Sequence, residues 1–277
     1  MEKLKLYFKL MRINNAIIAF MATYFAGIIG GNFKFDLKLL SLSISAALIG
    51  SAGNIVNDIL DYEIDKINRP DRPLLKGKIS KKRAEGLYFV LNILGIIFSL
   101  AGGLKTFLIA NLSIGVIFLY SLKLKSIPLV GNFAVAFMTG LTFVYGSIAT
   151  DNLHNIWLPA LFALYVNFIR ELVKDIEDVE GDSAFGLKTY PIVKGTKNAS
   201  KLSIILIISL ILLDLSPYFW KKYNYIYFFI IIFGVNSVLI YTIILLKNFE
   251  NKKNISKASL ILKLIMPLGL IAIWLGA

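Results

Sequence analysis

Apolar residues run in nine long stretches along the chain, at 16–31, 37–59, 84–103, 106–122, 127–149, 156–173, 202–219, 225–246 and 259–275. Each is near the ~20 residues that a helix needs to cross the hydrocarbon core of a bilayer. Polar segments separate them, and the N-terminal KLKLYFKLMR ahead of the first is basic and amphipathic. A cleaved signal peptide has the same basic-then-apolar opening. Here, however, the chain that follows is itself membrane-embedded, and Arg12 and Asn15 stand where the first apolar stretch begins. The pattern predicts an all-α polytopic membrane protein, a bundle of nine transmembrane helices.

Composition agrees. Hydrophobic residues make up 57% of the 277, charged residues 17%, and mean hydropathy is +0.72, outside the range of soluble domains. With no cysteine, a disulfide framework and a thiol nucleophile are excluded. The single histidine, His154, rules out His-rich metal sites and is expected in a short outer loop between the fifth and sixth stretches, away from the chemistry. A net charge of +13 brings nucleic acid to mind, but its distribution points to membrane orientation. Of the basic residues, 24 fall on the N-terminal side, including Lys66, Arg69, Arg72, Lys76, Lys78, Lys81, Lys82 and Arg83 between the second and third stretches. Only Lys34, Lys38, Lys105, Lys221 and Lys222 fall on the other. By the positive-inside rule the N-terminus is cytoplasmic and the C-terminus outside.

The candidate chemistry begins where the second stretch ends, at NIVNDILDYEIDKINRPDRPLLKG, residues 54–77. If 48–65 is one helix, Asn54, Asn57, Asp58, Asp61 and Asp65 share a face. Acids crowded there repel one another and meet the negative end of the helix dipole, so they call for cations. Tyr62 and Glu63 fall off that face. A second copy follows at the end of the sixth stretch. Residues 58–65 are DILDYEID and 175–182 are DIEDVEGD, both reading DIxDxExxD, with Glu171, Asp175, Asp178 and Asp182 again on one face. Glu177 and Glu180 lie off it. A repeat at equivalent depth on one side of the membrane predicts two related halves of a single domain, about 1–125 and 126–277, around a central cavity open to the cytoplasm and the bilayer.

Carboxylates and amides without His or Cys make a hard-oxygen set, suited to Mg²⁺ and to the phosphate that Mg²⁺ usually shares. Arg69, Arg72, Lys76, Lys123, Arg170 and Lys174 are the phosphate-binding candidates. In RPDRP each arginine precedes a proline, which stiffens the loop that presents the guanidinium groups. No GxxxxGK[ST] is present, so a P-loop is excluded. The reading is a membrane-embedded site for a lipid-borne diphosphate.

The pairing of NDxxDxxxD (Asn57, Asp58, Asp61, Asp65) with DxxDxxxD (Asp175, Asp178, Asp182) over nine spans resembles the UbiA superfamily of intramembrane prenyltransferases, across essentially the whole chain. DYEIDKINRPDRPLLKG and the text around DIEDVEGD are most similar to its archaeal ether-lipid branch. MRINN is similar to the RPxN of that family, with Ile13 in place of proline. Tyr120 and Ser121, followed by Lys123, match a loop that contacts the diphosphate in the family.

The resemblance implies Mg²⁺-dependent transfer of a geranylgeranyl group from geranylgeranyl diphosphate to the hydroxyl of geranylgeranylglyceryl phosphate. It implies Asn57, Asp58, Asp61, Asp65, Asp175, Asp178 and Asp182 as metal ligands, with Asp61, Asp65, Asp178 and Asp182 as the catalytic carboxylates. Asn54, Arg69, Arg72, Lys76, Tyr120, Ser121, Lys123 and Lys174 would bind diphosphate. The acceptor's own phosphate needs a further basic site, for which Arg12, Asn15 and Arg170 are the candidates. Phe137, Phe143, Tyr145 and Phe168 are candidates for the lining of an isoprenoid tunnel, though helix packing explains any one of them as well. The partners expected are the two lipid substrates and the membrane, with no nucleic acid and no protein partner implied. The alternatives are an aromatic or tetrapyrrole acceptor, which the acidic motifs do not distinguish, and a cation transporter. Transporters bind near the midplane, whereas both acid runs lie at one membrane face. A CDP-alcohol phosphotransferase is a further alternative, but its DGxxAR is missing.

Overall fold

Within lipid a backbone must satisfy its N–H and C=O groups inside its own segment, which favours helices wherever the sequence is apolar. The computed structural model describes residues 2–30, 36–150 and 155–277, and among the described residues every regular element is helical. His154 lies outside them. The chain divides into two compact units, Met1–Lys125 with Leu141–Trp157, and Ser126–Gly140 with Leu158–Ala277.

In the first unit α1 (Glu2–Met11) and α2 (Ile13–Gly30) meet at Arg12, whose φ of 52° lies in the left-handed region. The two axes bend by 57° there. Next come α3 (Leu37–Leu60), α4 (Tyr62–Asn68), α5 (Lys81–Ser99) and α6 (Leu104–Leu122). Helix α3 is the centre of this unit and packs on α2, α5 and α6. Its sequence explains why. Ser43, Ser45, Ser51, Ala52 and Gly53 are buried along it, and small side chains let helix backbones approach closely in lipid. At Gly53 a Cβ would come within 2.8 Å of Ile117 on α6. Ser45 Oγ donates to the Gly95 carbonyl of α5 at 2.7 Å, and Tyr145 Oη donates to Ser45 Oγ at 2.9 Å.

The second unit takes the start of α7 (Val130–Ser147), nearly all of α8 (Trp157–Ala184) and the rest of the chain. This continues as α9 (Tyr190–Lys194), α10 (Thr196–Leu213), α11 (Ser216–Phe219), α12 (Tyr225–Phe229), a π-helical turn at Ile230–Asn236, α13 (Ser237–Lys247) and α14 (Lys252–Gly276). Helix α13 packs on α10 and α14, with Ser200 Oγ of α10 donating to the Leu246 carbonyl of α13 at 2.6 Å.

Large apolar side chains stand exposed on the outer faces: Phe89, Ile93 and Ile97 on α5, Leu104, Leu108 and Leu112 on α6, and Leu260 and Leu264 on α14. Such faces suit lipid rather than water. Among the described residues, seven helical segments are long and apolar enough to cross a membrane, and α1 with α2 makes an eighth if that bent pair is one span. The chain is a multi-pass membrane protein. The remaining stretch of the predicted nine lies in α8, which is long enough at 28 residues but carries Arg170, Glu171 and Lys174 before its acid run.

Candidate active site

The first acid run does not lie on one unbroken helix. Helix α3 ends at Leu60, Asp61 (φ −88°, ψ 14°) caps it, and α4 restarts at Tyr62. Crowded acids at a helix C-terminus are the physical reason for an interruption here. The break is shallow. Asp61 N–H still bonds to Asn57 O, and Asp65 N–H to Asp61 O, each at 2.8 Å. The shared face therefore survives: Asp58 and Asp65, both buried, meet the same guanidinium.

That guanidinium is Arg72 of the RPDRP loop. It donates to Asp58 Oδ1 and, at 2.5 Å, to Asp65 Oδ2. Arg12 donates to Asp58 Oδ1 at 2.5 Å from the bend between α1 and α2. Burial and the neighbouring Arg12 charge pull Arg72 below its ordinary pKa, though a guanidinium stays charged throughout the working pH range. Asp61 pairs with Lys125, each only 14% exposed. Lys125 belongs to no motif; Lys123, the diphosphate candidate, is exposed at the end of α6. Ser121 Oγ donates to Asn57 Oδ1 at 3.4 Å, so the 120–126 segment reaches the first acid run through Ser121 and Lys125. Asn54 Nδ2 donates to the Met11 carbonyl at 3.2 Å and braces the bend beside Arg12. Asn15 N–H bonds to the Arg12 carbonyl at 2.7 Å.

Lys76 pairs with Asp71 at the exposed tip of the loop, and Lys9 Nζ donates to the Asp71 carbonyl at 3.1 Å, tying α1 to that loop. The Lys76 hydrogen bond and charge hold Asp71 below its ordinary pKa. Arg69 Nη1 donates to the Asn68 carbonyl at 3.2 Å.

The second acid run behaves as predicted, on one helix. Helix α8 carries Glu171, Asp175, Asp178 and Asp182 without a break. It ends just beyond them, where Leu187 N–H reaches back to the Asp182 carbonyl at 3.0 Å and Gly186 takes φ 71°, the geometry of a glycine C-cap. Arg170 donates to Glu171 Oε1 at 2.5 Å, and Lys174 Nζ lies 3.5 Å from Glu171 Oε2. Both cations are thus partnered by buried Glu171. Asp175 accepts from Asn132 Nδ2 of α7 at 2.8 Å; no motif signalled Asn132.

Of the aromatic candidates, Phe143 and Tyr145 are packed in the interior, and Phe137 stacks on Phe133 with ring centroids 6.2 Å apart.

Among the described residues no three acidic or imidazole groups converge as a ready metal-ligand cluster. The donor chemistry nonetheless fits Mg²⁺: carboxylate and amide oxygens only, with buried Asp58 and Asp65 drawing positive charge from two arginines.

The chain matches the UbiA prenyltransferase family over residues 17–265. The chain belongs to that family. It is a membrane prenyltransferase. Across 275 residues, 98% of each chain, it is 36% identical to the digeranylgeranylglyceryl phosphate synthase of Methanosphaera stadtmanae. A solved structure concerned with digeranylgeranylglyceryl phosphate synthase in membranes aligns with TM-score 0.76 at 35% identity, covering 100% of this chain and 99% of the other. A UbiA homologue from Archaeoglobus fulgidus, bound to GPP and Mg²⁺, shares the fold with TM-score 0.63 at 18% identity over 97% and 99% of the two chains.

Proposed function

We propose that this prenyltransferase moves a geranylgeranyl group from geranylgeranyl diphosphate to the secondary hydroxyl of geranylgeranylglyceryl phosphate. That is the digeranylgeranylglyceryl phosphate synthase reaction of archaeal ether-lipid synthesis. The observation that carries the reading is 36% identity over 98% of both chains to an archaeal enzyme of that name.

In this reaction the C1–O bond of the allylic diphosphate breaks and its electron pair leaves with the diphosphate. The glycerol oxygen bonds to C1 and its proton is lost. Asn57, Asp58, Asp61 and Asp65 in the first unit and Asp175, Asp178 and Asp182 in the second supply oxygen donors that would hold Mg²⁺, the ion bound with GPP in the A. fulgidus homologue. Bound Mg²⁺ neutralises charge growing on the leaving diphosphate. Arg72 adds a fixed guanidinium, already desolvated and aimed at this charge-dense region. Asn54, Arg69, Lys76, Tyr120, Ser121, Lys123 and Lys174, now joined by Lys125, complete the diphosphate set. Arg12, Asn15 and Arg170 serve the acceptor phosphate. Arg170 pairs with Glu171, so an acceptor phosphate would compete with that carboxylate for the guanidinium. Helix α8 crosses the membrane as a ninth span, and the basic census puts the N-terminus and both acid runs on the cytoplasmic side.

The test gives purified protein labelled geranylgeranyl diphosphate and Mg²⁺ with geranylgeranylglyceryl phosphate, 4-hydroxybenzoate or no acceptor. Label in the ether lipid alone is expected. Label only in the aromatic acid overturns the acceptor assignment, and no transfer to either acceptor overturns the reading.

A further inference from the structure

Charge is shared out unevenly in the second unit. Glu171, 4% exposed, takes both nearby cations, Arg170 at 2.5 Å and Lys174 at 3.5 Å. Asp175, one turn along α8, meets a neutral donor instead, Asn132 Nδ2 at 2.8 Å from its Oδ2. Asn132 is itself buried, 6% exposed, near the start of α7. An amide orients a carboxylate without neutralising it, whereas a guanidinium or ammonium would do both. One Asp175 oxygen is thus fixed in direction. A simpler role for Asn132, tying α7 to α8, is filled elsewhere. Asn167 Nδ2 of α8 donates to Thr139 Oγ1 of α7 at 2.8 Å. The two backbones also approach so closely that a Cβ at Gly140 would stand 2.9 Å from the Ala160 carbonyl.

We propose that Asn132 is a positioning residue that orients the Asp175 carboxylate toward a divalent cation, while Glu171 draws Arg170 and Lys174 away from that carboxylate. The inference rests on the function proposed above and deepens it. Asn132 acts through Asp175, and removing such an outer partner weakens metal binding by about 10–100-fold.

The experiment compares full-length wild type with Asn132→Leu, which keeps the branched heavy-atom shape without the donor, and with Asn132→Ala. Thr139→Val, which breaks the Asn167 tie together with Thr139's own bond to the Val135 carbonyl, is the structural control. Mn²⁺ alone is titrated and free ion read by electron paramagnetic resonance, and the Mg²⁺ dependence of prenyl transfer is measured alongside. Both Asn132 variants should bind Mn²⁺ about tenfold more weakly and need about tenfold more Mg²⁺ for half-maximal rate. Their rates at saturating Mg²⁺ should stay within about threefold of wild type, and Thr139→Val should bind Mn²⁺ as wild type does. Wild-type Mn²⁺ affinity in either Asn132 variant, whatever its stability or turnover, overturns the inference while leaving the proposed function standing. Equal weakening in Thr139→Val reduces Asn132 to a packing role and overturns it too. Wild-type protein without Mg²⁺-dependent transfer overturns the function, and the inference with it.

Discussion

Replacing Arg72 with methionine keeps the apolar stem and removes a guanidinium that bridges two buried carboxylates. A charge-assisted hydrogen bond contributes about 1.5–3 kcal/mol, and Arg72 makes two, to Asp58 and Asp65. Against the full sum, Arg12 still serves Asp58 and the Arg72 side chain is 17% exposed. The loss then falls at about 3 kcal/mol, the low end for breaking a buried pair. For a chain of this size each kcal/mol moves the unfolding midpoint by about 2–4 °C, so Arg72→Met should melt about 6–12 °C lower in metal-free buffer. Asp58→Asn in the same background supplies the control for direct pairing. With Asp58 already neutral, the cost of Arg72→Met should fall by about 1.5 kcal/mol, the worth of the lost charged bond. An Arg72→Met cost below about 0.5 kcal/mol, the scale of an ordinary surface change, would refute the bridging role. So would costs that simply add in the double variant.

Lys125→Ala should lower the prenyl-transfer rate about 100-fold, the scale of losing one donor to developing charge, and Lys123→Ala by much less; steady-state rates with labelled donor decide, and the reverse ranking would make Lys123 the principal diphosphate contact of the two. Gly146→Ala should destabilise by about 1–3 kcal/mol, because its Cβ would press on the Thr23 carbonyl oxygen and stand 3.1 Å from the Ala26 Cβ; thermal unfolding without loss of stability would show that α2 and α7 can part there. Tyr145→Phe should cost about 1 kcal/mol for the buried bond to Ser45 with unchanged specificity for prenyl chain length, and altered chain-length products would return Tyr145 to a tunnel wall.

Much of the fold was legible because hydropathy over ~20 residues is a strong, local signal. Apolar length placed most of the membrane helices within a few residues, but α10 and α14 begin six and seven residues before their apolar stretches, in polar first turns. It did not mark how far α8 runs past its apolar part, since the acids continue the same helix through Gly181 and only Gly186, at φ 71°, ends it. The acidic motifs were legible as a repeat. The break at Asp61 was not, because like-charge repulsion at a helix end competes with propensity at a single residue. That Lys125 reaches Asp61 depends on how the chain turns after α6, which side-chain type and spacing do not encode. Asn132 carried no signal at all: one amide in an apolar run is ordinary until its partner across the helix pair is known. Tyr145 was read for its aromatic surface, and its hydroxyl instead commits it to Ser45 in the first unit.

The central claim is that one ether bond forms for each diphosphate released, at the secondary hydroxyl of a glycerophosphate lipid. Mass spectrometry of the lipid product, with diphosphate counted in the same reaction before and after chelation of Mg²⁺, tests it directly. The account predicts equal amounts of new diether lipid and diphosphate, both abolished by chelation and restored by Mg²⁺. Diphosphate released without ether, or ether formed undiminished after chelation, would contradict it.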